Sequence, residues 1–387
     1  VSRALKSNRS MVTFTPLSLP FHSPFTPPSL PFHSPFITME NPYVKQFPDL
    51  MRGKTMMYVH GFGSSGQSGT VTRLRTVFPN THVVAPDLPI HPQEALDLLH
   101  RLCDTECPDL ILGTSMGGMY TEQLRGFDRI CMNPALCIAD TMQAHGMTGT
   151  QTFQNPRQDG VQQFYVDKAL VKEYRAVSER RFTGVSDDER RRVYGLFGDE
   201  DDIVDTFGIF HAHYPLAMHF HGEHRMNDKS FMHSVVPVVR WIDDRQEGRE
   251  RPIVYIGVET LMESPHRQSL SKADWSGVAQ LSSANAASSC QKAIRQLIES
   301  YQVYFVFPAP SSDPQLMSEA AAWMERVVNV PAWGHTVFTN QRHLLYGDYI
   351  VEAIATKDAM ATTIDMGSDE FKTWESVMEF FGRLGGQ

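Results

Sequence analysis

Short apolar runs alternate with longer amphipathic stretches from Lys54 onward. Four of these runs are apolar on both faces, as strands of a buried parallel sheet are: TMMYVHGF, THVVAPDLP, DLILGTS and RICMNPAL. Between them, apolar positions with helical spacing predict helices over 69–78, 92–107 and 116–125. The alternation predicts an α/β fold, with helices covering both faces of a mostly parallel sheet.

The alternation lapses after residue 139. Residues 140–190 are polar and highly charged, and the motifs SERRFTG and DDERRR predict a helical and irregular insertion. RRVYGLFGDEDD and LAMHFHGEH then resume the strand pattern, and 230–244 has the apolar spacing of a closing helix. Residues 51–245 therefore form one predicted domain, interrupted by the insertion.

A hydrophilic run, DDRQEGRERP at 243–252, predicts an inter-domain linker, placed at 246–252. A second, smaller α/β domain is predicted over 253–387. Its strands are PIVYIGVE and VYFVFPAP, and its helices cover 284–301 and 313–330. The terminal SDEFKTWESVMEFFGRLGG predicts a helix opened by a serine cap and closed by glycines.

Residues 1–50 differ from the rest. The string SLPFHSPF occurs at 18–25 and again at 29–36, and its recurrent prolines exclude a helix or a central strand. The segment lacks the continuous apolar core of a secretory signal. We expect a disordered leader outside the fold, or sequence upstream of a true start at Met39 or Met51. A Pro-rich docking segment is the alternative.

Composition narrows the classes of partner. A net charge of −9 argues against nucleic acid, and no apolar run is long enough to cross a bilayer. The five cysteines are odd in number, and Cys103 and Cys107 have no second pair to complete a zinc site. We expect a cytoplasmic protein with reduced thiols and no cofactor or metal, acting on a small molecule. The sequence leaves a homo-oligomer open.

Residues 113–117 read GTSMG, a G-x-S-x-G motif between a predicted strand and a predicted helix. This is the context of a nucleophile elbow, in which a serine is held in a strained, exposed turn. Because a serine hydroxyl is a poor nucleophile, the motif predicts a general base and an acid, in the order Ser, Asp or Glu, His. Both residue types follow the next predicted strands.

The acid must be chosen from a cluster of carboxylates: Asp199, Glu200, Asp201, Asp202 and Asp205. Asp201 is favoured because it follows the glycine turn and the apolar Ile203-Val204 comes shortly after it. Asp199 is the alternative. The remaining carboxylates are interpreted as solvated loop charges.

Three histidines compete as the base. His219 and His221 alternate along one strand and would share a face, so we interpret them as structural, whereas His224 follows the strand end. An oxyanion needs two N–H donors. Met116, directly after Ser115, and Phe62, in the glycine-rich HGFGSSG loop, are predicted to supply them, and His60 is interpreted as a structural loop residue.

These motifs together resemble the α/β-hydrolase superfamily, and more narrowly the small YqiA-type esterases of the UPF0227 group. The resemblance covers about 54–244 and is carried by YVHGFGSS, GTSMGG, MNPAL, GDEDDIVD and GEHRM. It implies Ser115, Asp201 and His224 as a catalytic triad that hydrolyses carboxylic esters, including acyl thioesters. The charged insertion departs from the group, so substrate range does not carry over. A catalytically silent binding or scaffold protein is the alternative.

The tail resembles haloacid-dehalogenase-like deoxyribonucleotidases in VNVPAWGHTVFTN, LLYGDYIV and its terminal helix. Such phosphatases need an aspartate nucleophile and a second aspartate two residues later, where this chain has Gly257 and Glu259. The acidic pair that would hold magnesium is Glu352-Ala353, with Asp348 nearby, and the expected serine or threonine falls near Phe307-Pro308. The resemblance therefore implies an inactive phosphatase fold, with residual Mg²⁺-dependent 5′-nucleotidase activity as the alternative.

Overall fold

A computed structural model describes residues 44–262, 288–309, 315–330, 334–353 and 355–384. The proline-rich leader before residue 44 lies outside the described residues. So do the predicted starts of the helices at 284 and 313 and the glycines that were expected to close the terminal helix.

The first sheet has six strands, all parallel, in the order β2-β1-β3-β4-β7-β8. The predicted parallel sheet and each of its predicted strands are confirmed. The strands are β1 (Thr55–Val59), β2 (His82–Val84), β3 (Leu110–Thr114), β4 (Arg129–Met132), β7 (Val193–Gly198) and β8 (Ala217–Phe220).

Successive side chains of these strands enter two separate apolar cores, one on each face of the sheet. On β1, Met57 and Val59 belong to one core, and Met56 and Tyr58 to the other. Burial on both faces explains why the strands read as continuous apolar runs. No helix among the described residues is both long and apolar enough to span a membrane.

Helices flank this sheet at the positions that the apolar spacing predicted. The first three end within two residues of the predicted ends. The helices of this part are α1 (Gly69–Val77), α2 (Pro92–Glu106), α3 (Met116–Gln123), α4 (Ile138–Ala144), α5 (Lys168–Ser178), α6 (Asp187–Arg190), α7 (Phe207–His211), α8 (Asp228–Ser230) and α9 (Val236–Glu247). A π-helical turn over Phe231–Val235 joins the last two.

The insertion at 140–190 contains a feature that the sequence did not predict. Strands β5 (Gly149–Thr152) and β6 (Gln163–Val166) pair as an antiparallel hairpin. Each strand has four residues, too few for its alternation to stand out from the surrounding polar sequence. The aromatic ring of Phe164 on β6 packs edge-on against Phe62 at a centroid distance of 5.3 Å, which holds the hairpin over the loop after β1.

The predicted linker was wrong at its start, because α9 continues through residues 243–247. Asp243 is fully buried, and its carboxylate accepts hydrogen bonds from Lys54 Nζ at 2.7 Å and Arg249 Nη2 at 2.8 Å. Arg251 donates to Asp244 in the same way. The charges that indicated a solvated linker are instead paired with one another. The domain boundary at 246–252 stays a prediction.

The second sheet has five strands, again all parallel, in the order β11-β10-β9-β12-β13. The strands are β9 (Ile253–Gly257), β10 (Gln302–Phe307), β11 (Thr336–Phe338), β12 (Tyr349–Glu352) and β13 (Thr362–Asp365). The helices here are α10 (Ser288–Ser300), α11 (Gln315–Trp323) and α12 (Trp374–Arg383).

The cap predicted for the terminal helix was wrong. The helix begins after Thr373, whose hydroxyl accepts from the Ser376 N–H in a capping box. Ser368 instead stabilises a turn: its hydroxyl donates to the Asp365 carbonyl and accepts from the Phe371 N–H. Both serine and threonine accept backbone N–H groups in turns and at caps, so residue type alone does not separate the two roles.

The two sheets meet at β8, the edge strand of the first sheet. The backbone N–H groups of His219 and His221 face away from β7 and donate to Glu325 Oε2 at 3.3 Å and Asn329 Oδ1 at 3.5 Å. Glu325 lies in the π-helical turn Met324–Val328 that continues α11, and Asn329 ends that turn, so the two acceptors match two alternate edge N–H groups. Side chains from the second sheet's helices thus satisfy an edge that would otherwise be free to pair.

Candidate active site

Ser115 lies at the junction of β3 and α3 with φ 56° and ψ −119°. A positive φ is rare for a residue other than glycine and costs conformational energy. Hydrogen bonds on both sides hold the turn: Ser115 N–H donates to the Met132 carbonyl, and Ala135 N–H donates to the Ser115 carbonyl. The serine is therefore fixed at the carboxyl edge of the sheet.

The motif's glycines are required by close backbone approach. A Cβ on Gly117 would lie 2.6 Å from the His60 carbonyl oxygen and would also overlap the Val59 carbonyl. A Cβ on Gly113 would lie 2.7 Å from the Gly117 carbonyl carbon. The elbow is thus pressed against the end of β1, and no side chain larger than hydrogen fits between them.

Three predicted residues from three strand ends are in hydrogen-bond contact. His224 Nε2 lies 3.0 Å from Ser115 Oγ, and His224 Nδ1 lies 2.8 Å from Asp201 Oδ2. The His224 side chain is 17% exposed and that of Asp201 is 3% exposed, so the imidazole is reachable and the carboxylate is shielded. An acceptor at Nδ1 places that nitrogen's proton toward Asp201 and leaves Nε2 free to accept from the hydroxyl.

Asp201 is held as an anion by its surroundings. Its second oxygen, Oδ1, accepts from the backbone N–H groups of Ile203 at 2.8 Å and Val204 at 2.9 Å. Burial alone would raise the pKa of Asp201, but the hydrogen bonds from His224 and these N–H groups outweigh it and lower the pKa. The apolar pair that singled out Asp201 in the sequence thus also supplies its backbone donors.

Asp199, the alternative acid, contacts a different histidine. Its Oδ1 accepts from the Gly222 N–H at 3.0 Å, and its Oδ2 lies 3.4 Å from His221 Nδ1. Asp199, Glu200 and His221 offer ligand atoms within 4.8 Å of one another, a spacing at which a divalent cation could bind. All three are exposed, and exposed acidic groups often cluster in this way without an ion.

Asn133 is a site residue that sequence reasoning did not single out. It follows β4, is 2% exposed and has φ 41°. Its amide donates to the His224 carbonyl at 3.0 Å and accepts from the Gly198 N–H at 2.7 Å. It therefore ties the loop that carries His224 to the strand that precedes Asp201. The sequence did offer one indication of this role, because Asn133 is the polar residue of MNPAL that directly follows a buried strand.

The loop after β1 contains the other predicted residues. Phe62 lines the cleft beside Ser115, and Gly61 packs directly on the elbow, where a Cβ would lie 3.3 Å from the Ser115 Cβ. The Phe62 N–H donates to no other atom of the part of the chain that the structure describes. Met116 is the first residue of α3, so its N–H has no acceptor within the helix.

His60 stabilises this loop from inside the protein. It is 2% exposed, with Nδ1 at 2.9 Å from the Gly61 carbonyl, to which it donates, and Nε2 accepting from the Leu88 N–H at 3.1 Å. Burial lowers the pKa of His60 to about 4. The neutral imidazole therefore hydrogen-bonds the backbone at two places, the loop after β1 and the segment at Leu88.

A cleft of about 690 Å³ opens at the carboxyl edge of the first sheet and contains Ser115 and His224. The insertion contributes one wall through Met147, Gln151, Gln154 and Asn155. The Gln154 N–H donates to the Gly63 carbonyl, which fixes this wall to the loop after β1. The volume suits a small organic molecule.

The carboxyl edge of the second sheet has a different content. Arg342 donates from Nη1 and Nη2 to the two oxygens of Glu259, at 2.6 and 2.8 Å, and from Nη1 to Glu352 at 3.2 Å. Both glutamates are buried, at 2% and 1% exposure. A Cβ on Gly257 would lie 2.8 Å from Arg342 Nη1. The guanidinium thus fills the position beside Gly257.

Asp348 lies at the other end of that sheet. It precedes β12, where its Oδ2 accepts from the Ile253 N–H at 2.8 Å. Asp348 is therefore separated from Glu259 and Glu352 by the length of a strand. Of the three acidic residues that the sequence analysis considered for this domain, only the two glutamates lie at the carboxyl edge of the second sheet.

Comparison with known proteins adds a family match. The profile of the uncharacterised protein family UPF0227 matches residues 55–235, somewhat less than half of the chain.

The chain is also similar to solved structures, each matched over about half of it. A monoacylglycerol lipase of Paleococcus ferrophilus is 16% identical, with a TM-score of 0.34 over 49% of this chain and 94% of the other. Est1E from Butyrivibrio proteoclasticus is 12% identical, with a TM-score of 0.33 over 51% and 88%. The esterase domain of a Rhodothermus marinus protein is 16% identical, with a TM-score of 0.33 over 48% and 86%.

Proposed function

We propose that this protein is a serine hydrolase of the α/β-hydrolase type that cleaves carboxylic esters or thioesters by acyl transfer. The observation that carries the proposal is the unbroken hydrogen-bond chain from Ser115 through His224 to Asp201 at the wall of an open cleft. A hydroxyl on a strained turn, an accepting imidazole nitrogen and a shielded carboxylate are the three parts that activation of a serine needs.

In the proposed reaction, Ser115 Oγ attacks the carbonyl carbon while His224 Nε2 takes the hydroxyl proton. The tetrahedral intermediate collapses, its bond to the alcohol or thiol breaks, and His224 returns the proton to that leaving group. Water then attacks the carbonyl carbon of the acyl-serine and loses a proton to His224. The second tetrahedral intermediate collapses, its bond to Ser115 Oγ breaks, His224 returns the proton to that oxygen, and the acid product leaves. Asp201 stabilises the imidazolium electrostatically throughout and stays ionised because its pKa is lowered.

The negative charge that develops on the carbonyl oxygen needs donors that are already in place. The N–H groups of Phe62 and Met116 are proposed to be these donors, because both belong to segments packed around Ser115 and neither has an acceptor within its own segment. Each such donor contributes about 10²–10³-fold to the rate of related acyl transfers.

The second sheet is proposed to be a haloacid-dehalogenase-like fold without phosphatase activity. Gly257 has no side chain to form an aspartyl phosphate, and Arg342 pairs with the two glutamates that would otherwise be available to a magnesium ion. The scaffold alternative for the whole protein requires the first sheet to be silent as well.

A fluorophosphonate probe tests the hydrolase proposal. We expect the purified protein to be labelled covalently in a one-to-one ratio and the Ser115→Ala variant to remain unlabelled, measured by intact mass. Labelling that persists in Ser115→Ala, or fails in the folded wild type, would contradict the proposal. Release of phosphate from nucleotides with Mg²⁺, unaffected by Ser115→Ala, would support the nucleotidase alternative.

A further inference from the structure

One wall of the cleft is formed by the first turn of α1. Ser68, Gly69 and Thr70 line the cleft there, and the N–H groups of a helix's first turn have no acceptor within the helix. Ser68 precedes the helix but its hydroxyl does not cap it. The residue is 5% exposed, and its Oγ forms no hydrogen bond within the described part of the chain. A buried hydroxyl without a partner is costly unless a ligand completes it.

Arg225 brings a positive charge to the same cleft. It directly follows His224, is exposed and lines the cleft, and its Nη2 donates to the neutral Gln154 Oε1 at 2.8 Å. Among the described residues, no carboxylate lies within ion-pair distance of its guanidinium. An arginine without a carboxylate partner offers the remaining N–H groups of its planar fork to an anion.

Arg73 connects these two features. It lies one turn into α1, lines the cleft, and donates from Nε to Asp228 at 2.6 Å and from Nη1 to the Met226 carbonyl at 3.4 Å. The first turn of α1 is therefore held against the loop that carries Arg225. Asp202 and Glu223 also line the cleft, so its wall carries charges of both signs.

We propose that the α1 side of this cleft binds an anionic group, a carboxylate or a phosphate, carried by the ester substrate. Arg225 pairs with the anion, while the N–H groups at the start of α1 and the Ser68 hydroxyl donate to it. The inference rests on the proposed hydrolase function, whose substrate class it narrows to esters with an acidic group near the scissile bond.

Binding tests the anion site without relying on turnover. n-Butylphosphonate and n-valerate are titrated against Ser115→Ala by calorimetry, with n-pentanol as the neutral analogue and butyltrimethylammonium as the cationic one. We expect at least one anion to bind about tenfold more tightly than both of the other analogues, and increasing salt to weaken that binding. The stronger anion identifies the phosphate or carboxylate chemistry. Equal affinities, or a preference for the cation, would overturn the proposal.

Variants then locate the site. In Arg225→Gln and in Ser68→Ala we expect the preference for the anion over n-pentanol to fall, by about tenfold for Arg225→Gln and less for Ser68→Ala. Arg190→Gln removes the same charge from an exposed position outside the cleft and should keep the wild-type preference. A preference lost equally in Arg190→Gln, or kept in both cleft variants, would overturn the assignment. Because Ser115→Ala is used throughout, failed probe labelling and failed anion binding are separate outcomes.

Discussion

The two parallel sheets of this protein have contrasting carboxyl edges. In both, polar and charged residues follow the strand ends, which is where ligands bind in open α/β sheets. At the first edge Ser115 and His224 face an open cleft, and one oxygen of Asp201 accepts a hydrogen bond from His224. At the second edge Glu259 and Glu352 are buried and both pair with Arg342.

The difference indicates that polar and charged residues at a strand end can act on a ligand only when some of their hydrogen-bonding groups are not already paired within the protein. The first edge leaves a hydroxyl and an imidazole nitrogen accessible. At the second edge burial alone would lower the pKa of Arg342, but its contacts with Glu259 and Glu352 raise it, so Arg342 stays charged at any ordinary pH. Among the described residues, the two buried glutamates of that edge are thus already paired with a cation.

Glycines at the two edges differ in the same way. At Gly117 an added Cβ would meet the backbone carbonyls of β1, which cannot move without distorting the sheet. At Gly257 it would meet the ends of the Glu259 and Arg342 side chains, which can adopt other rotamers. The first edge therefore depends on its backbone and the second on an ion pair.

The largest effect is expected from removing the base at the first edge. His224→Gln should lower kcat/KM for ester hydrolysis by about 10⁴-fold or more, because the serine then has no proton acceptor. Hydrolysis of a p-nitrophenyl ester measures this change. His100→Gln, an exposed change on α2, is the matched control and should keep full activity. A loss of kcat/KM below tenfold in His224→Gln would mean that His224 is not the base and that the first edge is no more catalytic than the second.

The next largest effect is expected on stability at the second edge. Arg342→Met should lower the free energy of unfolding by about 3–5 kcal/mol, because it leaves the buried Glu259 without its cation and Glu352 with only its hydrogen bonds from Thr356. Urea unfolding measures the change. Arg383→Met, which breaks only an exposed pair with Glu379, should have no measurable effect. If Arg342→Met changed the free energy of unfolding as little as Arg383→Met, the carboxylates of the second edge would be exposed to water, as the cleft at the first edge is.

The smallest effect is expected from the pH dependence of the first edge. His60 has a folded-state pKa of about 4, below its ordinary value of 6.5, so the unfolded chain binds this proton first as pH falls. Stability should therefore be complete above pH 6.5 and decrease by about 1–2 kcal/mol between pH 7 and pH 5 on this account. His60→Gln should flatten that part of the curve in urea unfolding. An unchanged slope would mean that His60 is not the buried neutral group of the loop.

Sequence reasoning was strongest where a local rule had one physical solution. Strands buried on both faces are continuous apolar runs, and the crowding at the elbow permits only glycine at positions 113 and 117. It was weakest in the insertion and at 243–247. The short β5–β6 hairpin has little periodicity of its own. The carboxylates at 243 and 244 are buried because the nearby Arg249 and Arg251 and the distant Lys54 pair with them.

By itself, then, the sequence determined the α/β alternation, the position of the serine turn and the short set of acids and histidines around it, since all of these follow from backbone geometry and local packing. Only the tertiary structure decided that His224 meets Ser115 and Asp201 while Asp199 faces His221, that Asn133 joins the two loops, and that Arg342 fills the second edge. Each of these depends on contacts between residues far apart in the chain, and such distances are set by how the strands are ordered in the sheet.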